Sequence, residues 1–435
     1  MKKLNIPVGI SDFREIRENG YYYIDKTFLI YELLKTPATK VTLITRPRRF
    51  GKTLGMSMLA DFFDIRKESS SLFEGLDISE KASICNEWMN QYPVIFLSLK
   101  DIDGLTFEDA YGQLVAQIAD LYKEYTYLLE CAEIDEDDKK IFLDLKAGKA
   151  DKVQITRSLG TLMKMLQIYY HKPVILLLDE YDVPVAKASN HGYYNEMLDI
   201  MKGIMSTALK DNQALRFAVI TGCLKIAKES IFTQTEVDKI LNDSGCIEHA
   251  ENVREWYDGY HFGEVDVYCP WDVMNYLRDL QHDIMAKPES YWKNTSDNAI
   301  IRSFIEYAGT NITKKMETLL AGNYIIQNID ENLTYDYLHS SEENLWSILY
   351  LTGYLTRVRE SELQAQIPEG TVALQIPNAE IKEIFETTVI KWFSDTAKNW
   401  NRNALFQAVW NSDVESLTVE MNILLRKIIS YHDYK

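Results

Sequence analysis

The chain has 435 residues and a formal net charge of −18, from 47 Lys and Arg against 65 Asp and Glu. Hydrophobic residues make up 46% of it, with 19 Gly and 10 Pro, so collagen-like, coiled-coil and wholly disordered chains are excluded. The acidic composition also disfavours general binding to nucleic acid or to anionic lipid.

Apolar run lengths and cysteine spacing indicate the compartment in which the protein works. No apolar run approaches the ~20 residues that span a bilayer, and no apolar signal segment follows the N-terminal lysines. We therefore expect a cytoplasmic protein without a membrane-spanning segment. The five cysteines are widely spaced and never form a CxxC pair, so we expect reduced thiols and neither a zinc site nor a disulfide framework.

The first half of the chain alternates apolar strands with helical patterns. Nearly continuous apolar runs predict buried strands at Lys40–Thr45, Tyr92–Leu99, His171–Asp182 and Leu215–Gly222. Helical patterns follow the first three strands, at 53–63, Phe107–Tyr122 and Tyr193–Leu209. Because strands buried on both faces belong to parallel sheets with crossover helices, we predict an α/β fold whose parallel sheet carries helices on both faces.

The segment between the first strand and its helix, Thr45–Thr53, has the features of a phosphate-binding loop. A loop of the GxxxxGK[ST] type needs a Gly for close backbone approach, a Lys for the β- and γ-phosphates, and a hydroxyl for Mg²⁺. Gly51, Lys52 and Thr53 supply these three groups. Their position between an apolar strand and an amphipathic helix makes this a much stronger signal than the three letters alone.

The first part of this loop departs from the usual pattern. Arg46 replaces the first Gly, and Pro47 favours an extended start while lacking an N–H donor. The N–H groups of Arg48, Arg49 and Phe50 remain available to phosphates. The alternative is a tight turn with surface arginines, but a helix N-terminus repels the clustered cations unless an anion is bound. We therefore predict that the whole loop binds phosphates.

Two acids end the third predicted strand. Asp179 follows four apolar residues and Glu180 comes next, at the carboxyl edge where parallel sheets bind ligands. Asp179 is predicted to hold Mg²⁺ and Glu180 to orient and deprotonate an attacking water, and the alternative is a strand cap with solvated acids. Thr221 ends the fourth strand and is a candidate γ-phosphate sensor, although a Thr at a strand end is ordinary.

The residue composition and the periodicity of the sequence change after about Phe232. Aromatic residues become frequent, and long helical patterns replace the strands. Apolar residues share one helical face between Ile381 and Phe393, and again between Leu417 and Ile428. We predict that this part of the chain is mainly helical.

Two polar segments have both a functional and a structural interpretation. The acidic run Glu133–Lys140 is either a metal loop or a solvated surface turn, and its spacing fits no EF-hand, which favours the turn. Asp258 and His261, in the sequence WYDGYHFG, are either nuclease residues or parts of a turn packed by aromatic rings. The flanking glycines favour the turn.

These residues together resemble a known family, the bacterial AAA-ATPase-like proteins, which usually carry a PD-(D/E)XK nuclease domain at the C-terminus. The resemblance covers nearly the whole chain, and Arg46 at the first glycine position is itself a family trait. It rests on the segments Pro7–Thr27, Thr45–Thr53, Leu176–Pro184, Thr221–Phe232, Trp256–Gly263, Tyr291–Ser296 and Leu345–Thr356.

The resemblance implies an ASCE-type P-loop ATPase core over residues 36–232 that uses ATP and Mg²⁺. It also implies an N-terminal segment, 1–35, that contributes to the nucleotide pocket, and a mainly helical, winged-helix-like region over 233–435. The N-terminal residues expected near the nucleotide are Tyr23, Asp25 and Lys26.

Two features depart from the family pattern. The acidic helix begins earlier than in the family, near Gln234, so the fifth core strand has no clear position. The sequence ends at Ser430–Lys435, where such proteins enter the nuclease domain, and its C-terminal part has no carboxylate–carboxylate–Lys cleavage motif.

Two functions remain open from sequence. In the first, ATP hydrolysis drives a conformational change that regulates an attached or partner effector, nuclease-type in the family. In the second, ATP holds an interaction switch with little turnover. The intact pair Asp179 and Glu180 favours hydrolysis. We expect this acidic chain neither to cut nor to bind plain duplex DNA tightly.

Overall fold

The computed structural model describes residues 4–35, 39–45, 51–222, 232–262, 265–291, 310–330, 342–363, 367–368, 370–387 and 418. Within these residues, no helix combines the length and the apolar character that a membrane crossing requires. Four of the cysteines are described and none of these four is in a disulfide, whereas Cys223 lies outside the described residues.

A four-stranded parallel sheet forms the centre of the first half. Its strands are β1 (Val41–Thr45), β2 (Val94–Ser98), β3 (Val174–Asp179) and β4 (Leu215–Gly222). They lie in the order β1-β4-β3-β2, and the register pairs Thr45 with Gly222 and Ser98 with Asp179. The carboxyl ends of the strands therefore meet at one edge. The predicted parallel sheet and the α/β class are confirmed.

Helices pack against both faces of this sheet. Along β3, Leu176 and Leu178 enter one hydrophobic cluster, whereas Ile175 and Leu177 enter another. This alternation is what a strand buried on both faces requires. The helices of this half are α1 (Phe13–Glu18), α2 (Phe28–Lys35), α3 (Lys52–Phe63), α4 (Ser70–Phe73), α5 (Ala82–Trp88), α6 (Phe107–Glu124), α7 (Glu136–Lys146), α8 (Lys152–Tyr170), α9 (Val183–His191) and α10 (Tyr194–Leu209).

Only the second part of the acidic run Glu133–Lys140 departs from the predicted turn, because helix α7 begins at Glu136. Asp135 caps α7 by accepting the Asp137 N–H at 2.8 Å, and acids in the first turn of a helix interact favourably with its dipole. Lys164 of α8 then pairs with Asp138 at 2.7 Å. Among the described residues no group of three or more His, Cys, Asp or Glu side chains is arranged to hold a metal ion.

The second half combines helices with two small antiparallel sheets. Its helices are α11 (Gln234–Ser244), α12 (Ala250–Tyr257), α13 (Pro270–His282), α14 (Thr310–Leu320) and α15 (Glu342–Leu351), and residues 379–387 are also helical. The strands are β5 (Phe232–Thr233), β6 (Tyr260–Phe262), β7 (Val265–Tyr268), β8 (Ile325–Gln327), β9 (Thr356–Arg357) and β10 (Val372–Gln375).

These sheets have the orders β5-β7-β6 and β8-β10-β9, and the sequence patterns did not predict them. Strands of two to four residues are too short to show an alternating pattern. Because β5 pairs with β7, it is not a fifth strand of the central sheet. The predicted amphipathic segments at 388–393 and 417–428, apart from Thr418, lie outside the described residues.

The glycine of the WYDGYHFG segment lies where two parts of the second half meet. Gly259 has φ +98°, and a Cβ atom on it would lie 1.8 Å from the carbonyl oxygen of Pro377. The Asn378 side chain donates to the carbonyl oxygen of Asp258 at 2.8 Å. Tyr260 donates its hydroxyl to the Gly353 carbonyl at 3.0 Å. Asp258 and Gly259 therefore form a tightly packed connection between α12 and β6.

The segment formed by residues 4–27, called the N-terminal strap below, touches both halves of the protein. Phe13 and Tyr23 belong with the hydrophobic cluster around α3, and their rings meet edge-on at 5.2 Å. Tyr22 and Ile24 pack instead against the cluster formed by α11, α12 and α13. Successive side chains of the strap thus enter different clusters and join the two halves.

Candidate functional site

The site begins at the N-terminus of α3, directly after the loop that follows β1. Gly51 has φ +72°, a left-handed conformation that favours glycine, and its carbonyl oxygen accepts the Gly55 N–H at 3.0 Å. Gly51 offers no side-chain cap, and the first N–H groups of a helix attract anions. The predicted loop residues Arg46, Pro47, Arg48, Arg49 and Phe50 lie outside the described residues.

Asp179, at the end of β3, is the centre of a set of hydroxyl contacts. Its side chain is fully buried. Thr221 donates to one carboxylate oxygen at 2.5 Å, while Thr53 and Ser98 donate to the other at 2.9 and 3.3 Å. The strand order brings these residues together, because β4 lies between β1 and β3 and β2 lies beyond β3. Predicted site residues from three separate segments therefore meet at one carboxylate.

Glu180 follows this carboxylate in an uncommon backbone conformation. Its φ is +54°, in the left-handed region that residues with a side chain rarely adopt. Thr221 holds the turn, since its hydroxyl accepts the Glu180 N–H at 3.1 Å and its carbonyl accepts the Tyr181 N–H at 3.0 Å. A Cβ atom on Gly222 would lie 2.7 Å from the Tyr181 ring, so any other residue here would displace that ring.

A cavity of about 310 Å³ opens beside these residues. That volume lies at the lower end of the range typical of small-molecule sites. Lys52, Thr53 and Glu180 line it, and Lys52 is only 7% exposed. The other lining residues are Pro7, Val8, Gly9, Ile10, Ser11, Ile16, Tyr22, Tyr23, Ile24, Lys26, Gly51, Leu54, Gly55, Pro270, Trp271, Met274 and Asn275.

The N-terminal strap contributes two of its three expected residues to the cavity wall, Tyr23 and Lys26. Burial, reinforced by the charge of Asp25, raises the pKa of Tyr23, so its hydroxyl stays protonated and donates to the Met58 sulfur at 3.4 Å. Asp25 is not among the lining residues. Its carboxylate accepts the backbone N–H groups of Thr27 and Asp77, at 2.8 and 2.6 Å, and so fixes the strap to the core.

Helix α13 supplies a wall of the cavity that the residue patterns did not predict. Pro270 occupies the first turn of this helix, a position where proline is favoured, and Trp271 and Asn275 face the same cavity as Lys52. The short sequence YCPW, with Pro before a helical pattern, marks the start of the helix. Nothing local to it indicates a site more than 200 residues away in the chain.

Comparisons with known proteins bear on this arrangement. A family model described as "Predicted AAA-ATPase" matches residues 7–232, just over half of the chain. This range contains the central sheet, α3 and most of the N-terminal strap. A protein of Azotobacter chroococcum mcd 1, described as an uncharacterized protein in the vnfD 5′ region, is 24% identical over 422 residues. The similarity spans 91% of this chain and 72% of that protein.

Proposed function

The chain belongs to the predicted AAA-ATPase family, and we propose that its first half binds ATP with Mg²⁺ and hydrolyses it. The observation that carries the proposal is the convergence of the site. Lys52, Thr53 and Glu180 line one cavity beside a helix N-terminus, and Asp179 is hydrogen-bonded to Thr53. An anion-binding helix end next to a carboxylate pair suits a metal-bound nucleotide.

The residues present fit a Mg²⁺ ion. Asp179 is buried, and the hydrogen bonds that its oxygens accept from described residues come from hydroxyl groups. A buried carboxylate is costly unless positive charge lies near it. Thr53 and Asp179 would hold the ion, which prefers oxygen ligands and commonly takes one or two carboxylates together with phosphate oxygens. When bound, it would neutralise charge on the β- and γ-phosphates.

Each site residue then has a defined task. Lys52 binds the β- and γ-phosphates, together with the backbone N–H groups of Arg48, Arg49 and Phe50. Glu180 orients the attacking water and accepts its proton. Thr221 contacts both Asp179 and the Glu180 backbone, so it links the γ-phosphate position to the base.

We further propose that nucleotide binding acts on the second half, 233–435, and through it on an attached or partner effector, nuclease-type in the proteins that this chain resembles. The support is physical continuity, because the cavity is lined by α13 and by the N-terminal strap, and both pack in clusters of the second half. The sheet β8-β10-β9 with helices α14 and α15 supports a winged-helix-like arrangement there. A cytoplasmic location suits this role.

The experiment that tests the proposal is a calorimetric titration of ATP into the full chain and its Lys52→Ala variant. We expect the variant to bind ATP ten to a hundred times more weakly, a loss of roughly 1.4–3 kcal/mol. Lys202→Ala removes an exposed lysine of α10 and serves as the matched control, with affinity unchanged. Equal affinities in wild type and Lys52→Ala would contradict the assignment.

A further inference from the structure

We propose that Asn275 makes the cavity selective for adenine, by accepting a hydrogen bond from the 6-amino group of the base. This inference rests on the proposed function, because it assigns the residue that selects the base in the same nucleotide cavity. It assigns a role to a residue of α13, outside the segment 7–232 that the family model matches.

The orientation of the Asn275 side chain is fixed by its neighbours. Its Nδ2 donates to the carbonyl oxygen of Trp271 at 2.8 Å, one helical turn earlier. The reverse orientation would set two oxygens against each other, so Oδ1 is the atom left to act as an acceptor. The side chain lines the cavity and is 4% exposed, which restricts its rotation.

The rest of the cavity suits a purine ring. Phosphates bound at Lys52 and Thr53 leave the base to the wall formed by the strap and α13, where many lining side chains are apolar. They include Pro7, Val8, Ile10, Trp271 and Met274. An apolar wall with few polar groups is the usual composition of a small-molecule site.

Among the described side chains of that wall, Asn275 is the polar group best placed to discriminate between bases. The Tyr22 hydroxyl donates to Asp243 at 2.9 Å and Lys26 pairs with Glu236, so both polar ends are held by α11. Ser11 is exposed, and a hydroxyl both donates and accepts, which fits any base. The fixed amide oxygen of Asn275, by contrast, can only accept a hydrogen bond and therefore discriminates between bases.

An acceptor at this point distinguishes bases by the group at position 6. Adenine carries an amino group there, which donates, whereas guanine and hypoxanthine carry a carbonyl oxygen, which accepts. Two acceptors facing each other in a buried site leave both without a partner and repel each other. ADP should therefore bind better than nucleotides with a 6-carbonyl group.

The first test compares ADP, inosine diphosphate and guanosine diphosphate by calorimetric titration into the wild-type chain. Inosine diphosphate isolates the change at position 6, because it lacks the 2-amino group of guanine. We expect ADP to bind at least about tenfold more tightly than either competitor. Equal affinities for the three would overturn the role of Asn275 and leave the phosphate site standing. Absence of binding by all three would overturn the proposed function and this inference with it.

The second test uses the Asn275→Leu variant, which keeps the side-chain size and removes the acceptor. We expect its ADP affinity to fall about tenfold while inosine diphosphate binding changes little, so the preference disappears. His282→Ala, at an exposed residue of α13 that is not among the cavity-lining residues, is the control and should keep the wild-type preference. A folded Asn275→Leu protein that still prefers ADP would overturn the inference. The wild-type comparison decides the question independently if this variant fails to fold.

Discussion

The backbone of Glu180, the residue proposed as the base, is strained. A residue with a Cβ atom in the left-handed region costs about 1–2 kcal/mol relative to its ordinary conformations. Two hydrogen bonds to Thr221 hold the turn in this conformation. Such strain persists where the surrounding structure over-determines it, commonly at functional sites. We infer that the conformation that positions the Glu180 carboxylate lowers the free energy of unfolding.

Replacing Glu180 with glycine should therefore separate stability from activity. Glycine adopts φ +54° without steric cost, so Glu180→Gly should raise the free energy of unfolding by about 0.5–1 kcal/mol in urea titrations without nucleotide. The same variant should lose roughly 100-fold or more in ATP turnover, the scale of a lost general base. A variant that is less stable, or that keeps its turnover, would contradict this account.

His171 offers the matched control, since it has φ +50° at the C-terminus of α8 and does not line the cavity. His171→Gly should gain similar stability and leave ATP turnover unchanged. Comparing the two variants isolates the functional part of the Glu180 effect from the conformational part.

The connection at Gly259 depends on two properties of glycine, its positive φ and its lack of a side chain. A Cβ atom would overlap the Pro377 carbonyl, and no side chain can yield because the neighbour is backbone. We expect Gly259→Ala to lower the free energy of unfolding by about 2–4 kcal/mol, in the upper range for single substitutions. Thermal and chemical unfolding measure this directly.

Gly322 separates the effect of a positive φ from the effect of steric overlap. It has φ +83° but open space around the position of a Cβ atom. Gly322→Ala should cost only about 1 kcal/mol, the conformational part alone. Equal losses in the two variants would show that the contact with Pro377 relaxes at no cost.

The elements of the central sheet could be predicted from sequence, whereas the wall of the cavity could not. Strands such as β3 are continuous apolar runs, and parallel strands bring their carboxyl ends to one edge, so the proximity of Thr53, Asp179 and Thr221 follows from local patterns. Asn275 carries no such signal, because its position depends on how α13 packs across the first half. The strands β5–β10 could not be predicted, because strands of two to four residues are too short to show an alternating pattern.

At the scale of the whole molecule, the N-terminal strap packs against both halves, and we expect this contact to make them unfold together. Tyr23 packs with the α3 cluster, while Tyr22 and Ile24 pack with α11, α12 and α13. Burial and the hydrogen bond to Asp243 raise the pKa of Tyr22, so its hydroxyl remains a donor across the physiological range. Loosening one half should therefore loosen the other.

Tyr22→Ala should weaken the coupling between the halves. It removes the ring and its hydrogen bond to Asp243, while Ile24 and the Lys26–Glu236 ion pair still hold the strap to the second half. We expect wild type to unfold in one sharp calorimetric transition and the variant in a broader one, because weaker coupling makes unfolding less cooperative. Tyr21→Ala, at the adjacent position, is the control and should keep the sharp transition. A single transition of unchanged width in Tyr22→Ala would refute the coupling.

The far separation of the cavity walls along the chain has a consequence for how the protein is made. The strap and α3 leave the ribosome early, whereas α13 emerges after more than 200 further residues have been added. A nascent chain that exposes only the first half contains Lys52 and Thr53 but lacks the wall of the cavity that α13 supplies. Since a ligand stabilises only the form that binds it, nucleotide adds its stabilisation late in synthesis. ATP would then stabilise a chain in which both halves have folded, and would not stabilise a chain whose synthesis stopped before α13.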